Sequence, residues 1–312
     1  MTSDDVRALI AATGLCKRFG RRVAVDGIGF AVQSGEAFGF LGPNGAGKTT
    51  TMRMISCVSP RSGGSLRMLG LDPDTDGPAI RARLGVVPQR DALDRELTVL
   101  ENLIIYARYF DIPWRAAKDR ARELLDFVRL ADRMDEGVDG LSGGMKRRLV
   151  IARALINEPD VIILDEPTTG LDPQARHLIW DRLYALKQRG VTLLLTTHYM
   201  DEAEQLCDRI VIMDGGRIIA EDSPAALIRE HCTREVVELR FPVGQRPNID
   251  GQFTGLTDWT EQLPDRVLLY TDDGDALCAH VASRGYRPEN TVVRRGNLED
   301  VFLRLTGREL VR

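Results

Sequence analysis

Nowhere in the chain do two cysteines stand at CxxC spacing. The five that occur, Cys16, Cys57, Cys207, Cys232 and Cys278, are scattered, and no histidine lies at zinc-finger distance from any of them. This argues against a disulfide frame or structural zinc and for reduced thiols in a cytosol. His177, His231 and His280 likewise show no ligand spacing. Long apolar runs are missing too. No window approaches the roughly 18 apolar residues needed to cross a bilayer, and the opening MTSDDVRALIAATG is acidic and too polar for a secretory signal. The chain is therefore not expected to span a membrane. If it serves one, another polypeptide supplies the channel. Positive charge is not in excess either. The net charge of −4 lacks the global basic field of a nucleic-acid binder. There is no internal repeat and no low-complexity segment.

What is present is an ordinary globular composition, 43% apolar and 28% charged over 312 residues, enough for more than one domain and fewer than three. Residues 6 to about 40 alternate apolar stretches with turns and read as β structure. The run Ala37–Leu41 ends at Gly42, and a helix is expected from about Lys48. From about 91 to 158 apolar residues recur at helical spacing, as in TVLENLIIYARYF and RARELLDFVRL, which predicts a helical subdomain. Val161–Leu164 and Val191–Thr196 read as strands. The helix between them should be capped by Asp172, start at Pro173 and end at Gly190. Such alternation implies an α/β fold with a mostly parallel sheet and helices on both faces. After about residue 230 strand and helix patterns form a small α+β appendage, bounded by FPVGQRPNIDG. The expected domains are thus 1–230 and 231–312.

One motif carries most of the chemistry. Gly42-Pro43-Asn44-Gly45-Ala46-Gly47-Lys48-Thr49 fits GxxxxGK[ST] in full, between a predicted strand and a predicted helix. Its glycines let backbone N–H groups close around phosphates, with Thr50 in the same cradle. Lys48 adds a charge near the β and γ phosphates, Thr49 offers a hydroxyl to Mg²⁺, and the helix N-terminus faces the same anion. Val161-Ile162-Ile163-Leu164-Asp165-Glu166 is an apolar strand ending in two carboxylates, which is costly unless the charges find partners. Asp165 suits Mg²⁺ and Glu166 suits a general base acting on water. The P-loop NTPase class and the cofactors ATP and Mg²⁺ follow.

In Leu141-Ser142-Gly143-Gly144, Ser142 and the two glycines open a helix whose free N–H groups suit an anion. With these motifs in order, residues 6–230 resemble the ATP-binding cassette (ABC) proteins. The resemblance implies a signature at 141–144 that caps the γ phosphate held by a second copy, so that two chains enclose two ATP molecules as a homodimer. It implies that Gln89 senses Mg²⁺ and the γ phosphate, and that Gly170-Leu171-Asp172 crosses the dimer seam. His198 becomes the switch histidine, and Phe19 an aromatic stacked on adenine. It also implies an integral membrane permease as partner, a peripheral place on the cytoplasmic face of the membrane, and no nucleic acid. Met145 stands where many members carry glutamine. The run GGMKRRLVIARALINEP is similar to exporter ATPases of the nodulation-factor and daunorubicin-resistance branches, and NLEDVFLRLTGREL to the end of that group. Export of a lipo-oligosaccharide, lipid or drug is the expected work.

Two other classes remain to be weighed. A cassette ATPase acting on DNA or ribosomes tends to carry coiled-coil insertions or two cassettes, and neither is present. A silent binding module sits badly with intact Lys48, Asp165, Glu166 and His198. Lys48→Ala is expected to weaken ATP binding and remove nearly all hydrolysis, because a charge-assisted phosphate contact is lost. An equilibrium nucleotide-binding assay with undiminished affinity, together with normal turnover, contradicts that role.

Overall fold

The computed structural model describes residues 8–242, 252–253 and 255–307. Residues 1–7, most of FPVGQRPNIDG and the last five residues of the chain lie outside the described residues. The chain divides between Ser223 and Pro224 into two compact units, seven residues before the break that the sequence suggested.

The first unit opens with β1 (Ile10–Phe19), β2 (Arg22–Val32), β3 (Ala37–Leu41), α1 (Lys48–Ile55), β4 (Gly63–Met68), α2 (Gly77–Ala82) and β5 (Leu84–Val87). Three helices follow, α3 (Val99–Arg108), α4 (Trp114–Phe127) and α5 (Gly143–Ala154). The unit closes with β6 (Val161–Asp165), α6 (Pro173–Gln188), β7 (Thr192–Thr197), α7 (Met200–Leu206), β8 (Arg209–Asp214) and β9 (Arg217–Asp222). The second unit carries α8 (Pro224–His231), β10 (Glu235–Arg240), β11 (Trp259–Gln262), β12 (Arg266–Thr271), α9 (Gly274–Ser283), β13 (Asn290–Arg295) and α10 (Leu298–Thr306). Helix α8 packs against α10, which is why the break precedes it.

The central sheet has the order β5-β6-β7-β3-β8-β9, parallel but for β9. Its middle strands are continuous apolar runs because helices cover both faces. All five residues of β3 are buried, as are Val161–Leu164 and all of β7. The register sets Asp165 beside Thr196 and Leu41 beside Thr197. The ends of β3, β6 and β7 thus meet at one edge, where open parallel sheets place ligands. A separate antiparallel sheet, β2-β1-β4, flanks this core.

Helices α3 to α5 pack around Leu103, Ala107, Ala121, Leu125 and Leu149. Thr98 and Glu101 start α3 with a reciprocal capping box. Asp172 caps α6 by accepting from the Ala175 N–H at 2.8 Å, and Pro173 occupies its first turn. In the second unit an antiparallel sheet β11-β12-β10-β13 packs one face on α9 through Val237, Leu269 and Leu277. The buried Asp300 of α10 accepts from Tyr270 Oη at 2.9 Å and pairs with both Arg294 Nη atoms. Among the described residues no helix is long and apolar enough to cross a membrane.

Gly39 in β3 has no room for a side chain, since a Cβ there would stand 2.6 Å from Cys207 Sγ and 3.0 Å from Ile210 Cγ2. Gly39→Ala should destabilise the first unit by about 1–3 kcal/mol through overpacking. Adding Cys207→Ala should return part of that loss. Urea unfolding midpoints of the two variants check it, and an unchanged Gly39→Ala midpoint contradicts the packing described.

Candidate functional site

The loop after β3 is wound by glycines, two of which leave no space for a side chain. Gly47 holds φ 106°, and a Cβ there would meet Ala24 O at 2.6 Å. At Gly42 a Cβ would meet Met213 O at 2.3 Å. The loop therefore lies against its neighbours with its remaining surface turned to a cleft of about 340 Å³. Phe19, Pro43, Asn44, Gly45, Gly47, Lys48, Thr49, Thr50, Gln89 and Glu166 line this cleft. Gly42 and Ala46 are buried beneath it. Arg22 and Ala24 of β2 also line it. They escaped the sequence reading, because only the pairing of β1 with β2 brings them beside Phe19. Phe19 is about half exposed, 52%, and Lys17 Nζ lies over its ring, 4.9 Å from the centroid.

Lys48 opens α1 and is almost wholly buried at 4% exposure. Its Nζ donates to Gly42 O at 2.6 Å and Pro43 O at 3.1 Å, and stands 4.0 Å from Glu166 Oε1. Burial lowers its pKa, while Glu166 and Asp165 oppose that shift. Thr49 Oγ1 donates to Asp165 Oδ1 at 3.2 Å, and Thr196 Oγ1 donates to the same oxygen at 2.6 Å. These groups are all oxygens, the set that suits a hard divalent cation such as Mg²⁺.

Glu166 follows the strand end with φ 48°, a left-handed conformation that costs a residue with a side chain. Its N–H donates to Thr196 O at 3.1 Å and to Thr196 Oγ1 at 3.0 Å, which holds that turn. The carboxylate is surrounded. Gln89 Nε2 donates to Oε2 at 2.9 Å, Thr169 Oγ1 to Oε2 at 3.2 Å, and His198 Nδ1 lies 3.4 Å from Oε1. The His198–Glu166 approach is an ion-pair distance without the alignment of a hydrogen bond. The His198 imidazole is nonetheless the main reason why the Glu166 carboxyl titrates below the usual range, outweighing burial, with Lys48 and Thr169 adding to it.

The structure thus joins the phosphate loop, Gln89, Asp165, Glu166 and His198 in one place. It does not bring the signature there, for none of residues 141–144 lines the cleft. Leu141 is buried in the core of the helical part, so its side chain offers nothing to a ligand. Ser142 caps α5, its Oγ accepting from the Met145 N–H at 3.2 Å. Met145 packs into the same helical core, which accounts for an apolar residue there. Gly144 lies so close to α6 that a Cβ would stand 2.8 Å from Ala175 Cβ.

Thr169 and Thr196 were missed as well. Thr169 carried no signal of its own. Thr196 was recoverable, since parallel neighbours β6 and β7 set it beside Asp165.

A family model described as "ABC transporter" matches residues 25–169, and one described as "Nodulation factor export protein NodI, C-terminal domain" matches residues 249–307. The chain is similar to the "Nod factor export ATP-binding protein I" of Burkholderia lata, 47% identical over 295 residues that cover 94% of this chain and 95% of the relative. The protein of the same name from Rhizobium sp. (strain N33) is 46% identical over 304 residues, 97% of this chain and 99% of the relative. Among solved structures, the cbiO1 subunit of an ABC transporter complex from Clostridium perfringens superposes with a TM-score of 0.67 at 28% identity, covering 72% of this chain and 92% of that one. A dimeric, post-hydrolysis ATP-binding cassette bound to ADP and Pi gives a TM-score of 0.63 at 26% identity, covering 69% and 98%.

Because the Glu166 pKa is depressed in the folded chain, its contribution to stability is present above the ordinary glutamate value of about 4.3 and is lost as pH falls through the depressed native value. His198→Ala should move the Glu166 titration back up. A carbon-detected NMR titration of the Glu166 carboxyl in both proteins checks this, and identical midpoints contradict it.

Proposed function

The chain belongs to the ABC transporter family and is an ATP-hydrolysing subunit of an exporter, and from that premise we propose that two copies hydrolyse Mg-ATP at shared sites to drive a separate membrane permease. The observation that carries this reading is the placement of Glu166. It is a depressed, hydrogen-bonded carboxylate at the rim of the phosphate cleft, 4.0 Å from Lys48.

In this reading the loop N–H groups and the N-terminus of α1 hold the phosphates, and Phe19 stacks on the adenine. Thr49 and Asp165 hold Mg²⁺, with Gln89 beside them. A Mg²⁺ held there would supply positive charge against the phosphates. Lys48 now caps carbonyls of its own loop, and its Nζ is at hand to turn to the phosphates. Glu166 orients the attacking water and accepts its proton. His198, already beside Glu166, supplies a donor for the γ phosphate. Gln89 ties the base to the segment that enters the helical part.

The signature completes the site from a second copy. The cleft of one chain lacks residues 141–144, while Ser142 and the two glycines present the N-terminus of α5 as an unused anion site. Asp172 lies on the seam between the copies. The chain rests as a peripheral subunit on the cytoplasmic face of the membrane, where the permease supplies the cargo path. The names of the relatives favour export of a Nod-factor-like lipo-oligosaccharide. They are exporter subunits, and no observation favours an ATPase acting on DNA or ribosomes.

Mixing tests the shared site. Lys48→Ala and Ser142→Arg chains should each be nearly inactive alone. A heterodimer of the two has one site with both defects and one with neither, so part of the activity should return on mixing. The return should grow with protein concentration, since association is required. No recovery at any ratio, with both variants still folded and the permease present, contradicts the shared-site reading.

A further inference from the structure

Arg147, the fifth residue of α5, is buried at 5% exposure. Its guanidinium is spent on backbone carbonyls from two other segments. Nε donates to Pro167 O at 2.7 Å. Nη2 donates to Asp165 O at 3.0 Å and Glu166 O at 3.1 Å, and Nη1 donates to Pro88 O. Asp91 lies 3.9 Å from Nη1. Burial disfavours the charged guanidinium, and the nearby carboxylates Asp91, Glu202, Asp165 and Glu166 offset that.

The targets are informative. Pro88 immediately precedes Gln89, and Glu166 O belongs to the base itself. Gln89 Nε2 donates to Glu166 Oε2 at 2.9 Å. One planar fork therefore grips the backbone at both ends of that hydrogen bond. The grip also falls where the chain is strained, at the φ 48° of Glu166. An arginine fork has fixed geometry and several donors, which a lysine cannot reproduce.

We propose that Arg147 is a positioning residue that sets the separation of Gln89 and Glu166 and ties it to the signature helix. A shift of the α5 N-terminus is then transmitted to the base through one side chain. The ends of the Gln89–Glu166 bond come from the segments after β5 and β6, two strands paired in one sheet. Past the last paired residues, Val87 and Leu164, the fork and the side-chain bond both join Gln89 to Glu166. This rests on the reading of Glu166 as the hydrolytic base, and the test below separates the two.

Arg147→Met and Arg147→Lys should bind ATP with nearly unchanged affinity, because neither touches the cleft. Their kcat should fall by about 10²-fold, the effect of a misplaced reacting group, with KM little altered. Lysine should recover only a small part. The discriminating measurement is a double-mutant cycle with Gln89→Ala. If Arg147 acts through the Gln89–Glu166 pair, Arg147→Met should cost much less once Gln89 is gone. Independent, multiplying losses would mark Arg147 as merely structural and overturn the proposal. So would wild-type kcat in Arg147→Met. Should Arg147→Met fail to fold, Arg147→Lys takes its place in the cycle, with coupled losses supporting the proposal and independent losses overturning it. Glu166→Gln is the control. Wild-type turnover there removes the base and this proposal together, whereas an inactive Glu166→Gln beside an unaffected Arg147→Met removes this proposal alone.

Discussion

A single ionised carboxylate, almost wholly buried at the edge of the cleft, is the constraint on which the site depends. Glu166 is 7% exposed, stands in a strained turn, and survives there because Gln89, Thr169, His198 and Lys48 surround it. Each of those partners comes from a different element: the segment after β5, the turn after β6, the end of β7 and the start of α1. The parallel sheet brings these ends to one edge, so the fold and the ionised state of Glu166 are two sides of one arrangement. Gln89 and Thr169 share one carboxylate oxygen, while His198 and Lys48 face the other.

The same logic joins the site to the helical part. Arg147 reaches from α5 to four carbonyls around the carboxylate, which joins α5 to the turn that holds Glu166. On the proposed reading, the phosphate contact that a second copy makes through residues 141–144 is felt one turn later by Arg147. Gly144 packs against Ala175, so α6 and the Asp172 cap follow the same helix.

The sequence carried the groups whose chemistry is local. The glycines and Lys48 of the phosphate loop, the paired carboxylates at 165–166 and the Ser142 cap each have a spacing that implies a conformation. The helices at 99–108 and 143–154 and the strands at 161–165 and 192–197 follow from periodicity and apolar runs. Groups that act on backbone carbonyls had no such mark. Arg147 reads as one more basic residue in KRR, because its targets lie 20 and 59 residues away. Thr169 reads as part of a polar turn. The break at Ser223 was placed late because α8 has an amphipathic pattern that suits either unit, and only its packing on α10 decides. Leu141 belongs to the signature while its side chain lies in the core, since a motif does not say which of its members face inward.

The central claim is that Glu166 supplies the base and not merely the fold. Single-turnover hydrolysis by Glu166→Gln, with Mg-ATP loading measured on the same sample, tests it most directly. The account predicts ATP loading within a few-fold of the unaltered chain and a hydrolysis rate lower by about 10²–10⁴. Full loading with an unchanged hydrolysis rate would contradict it.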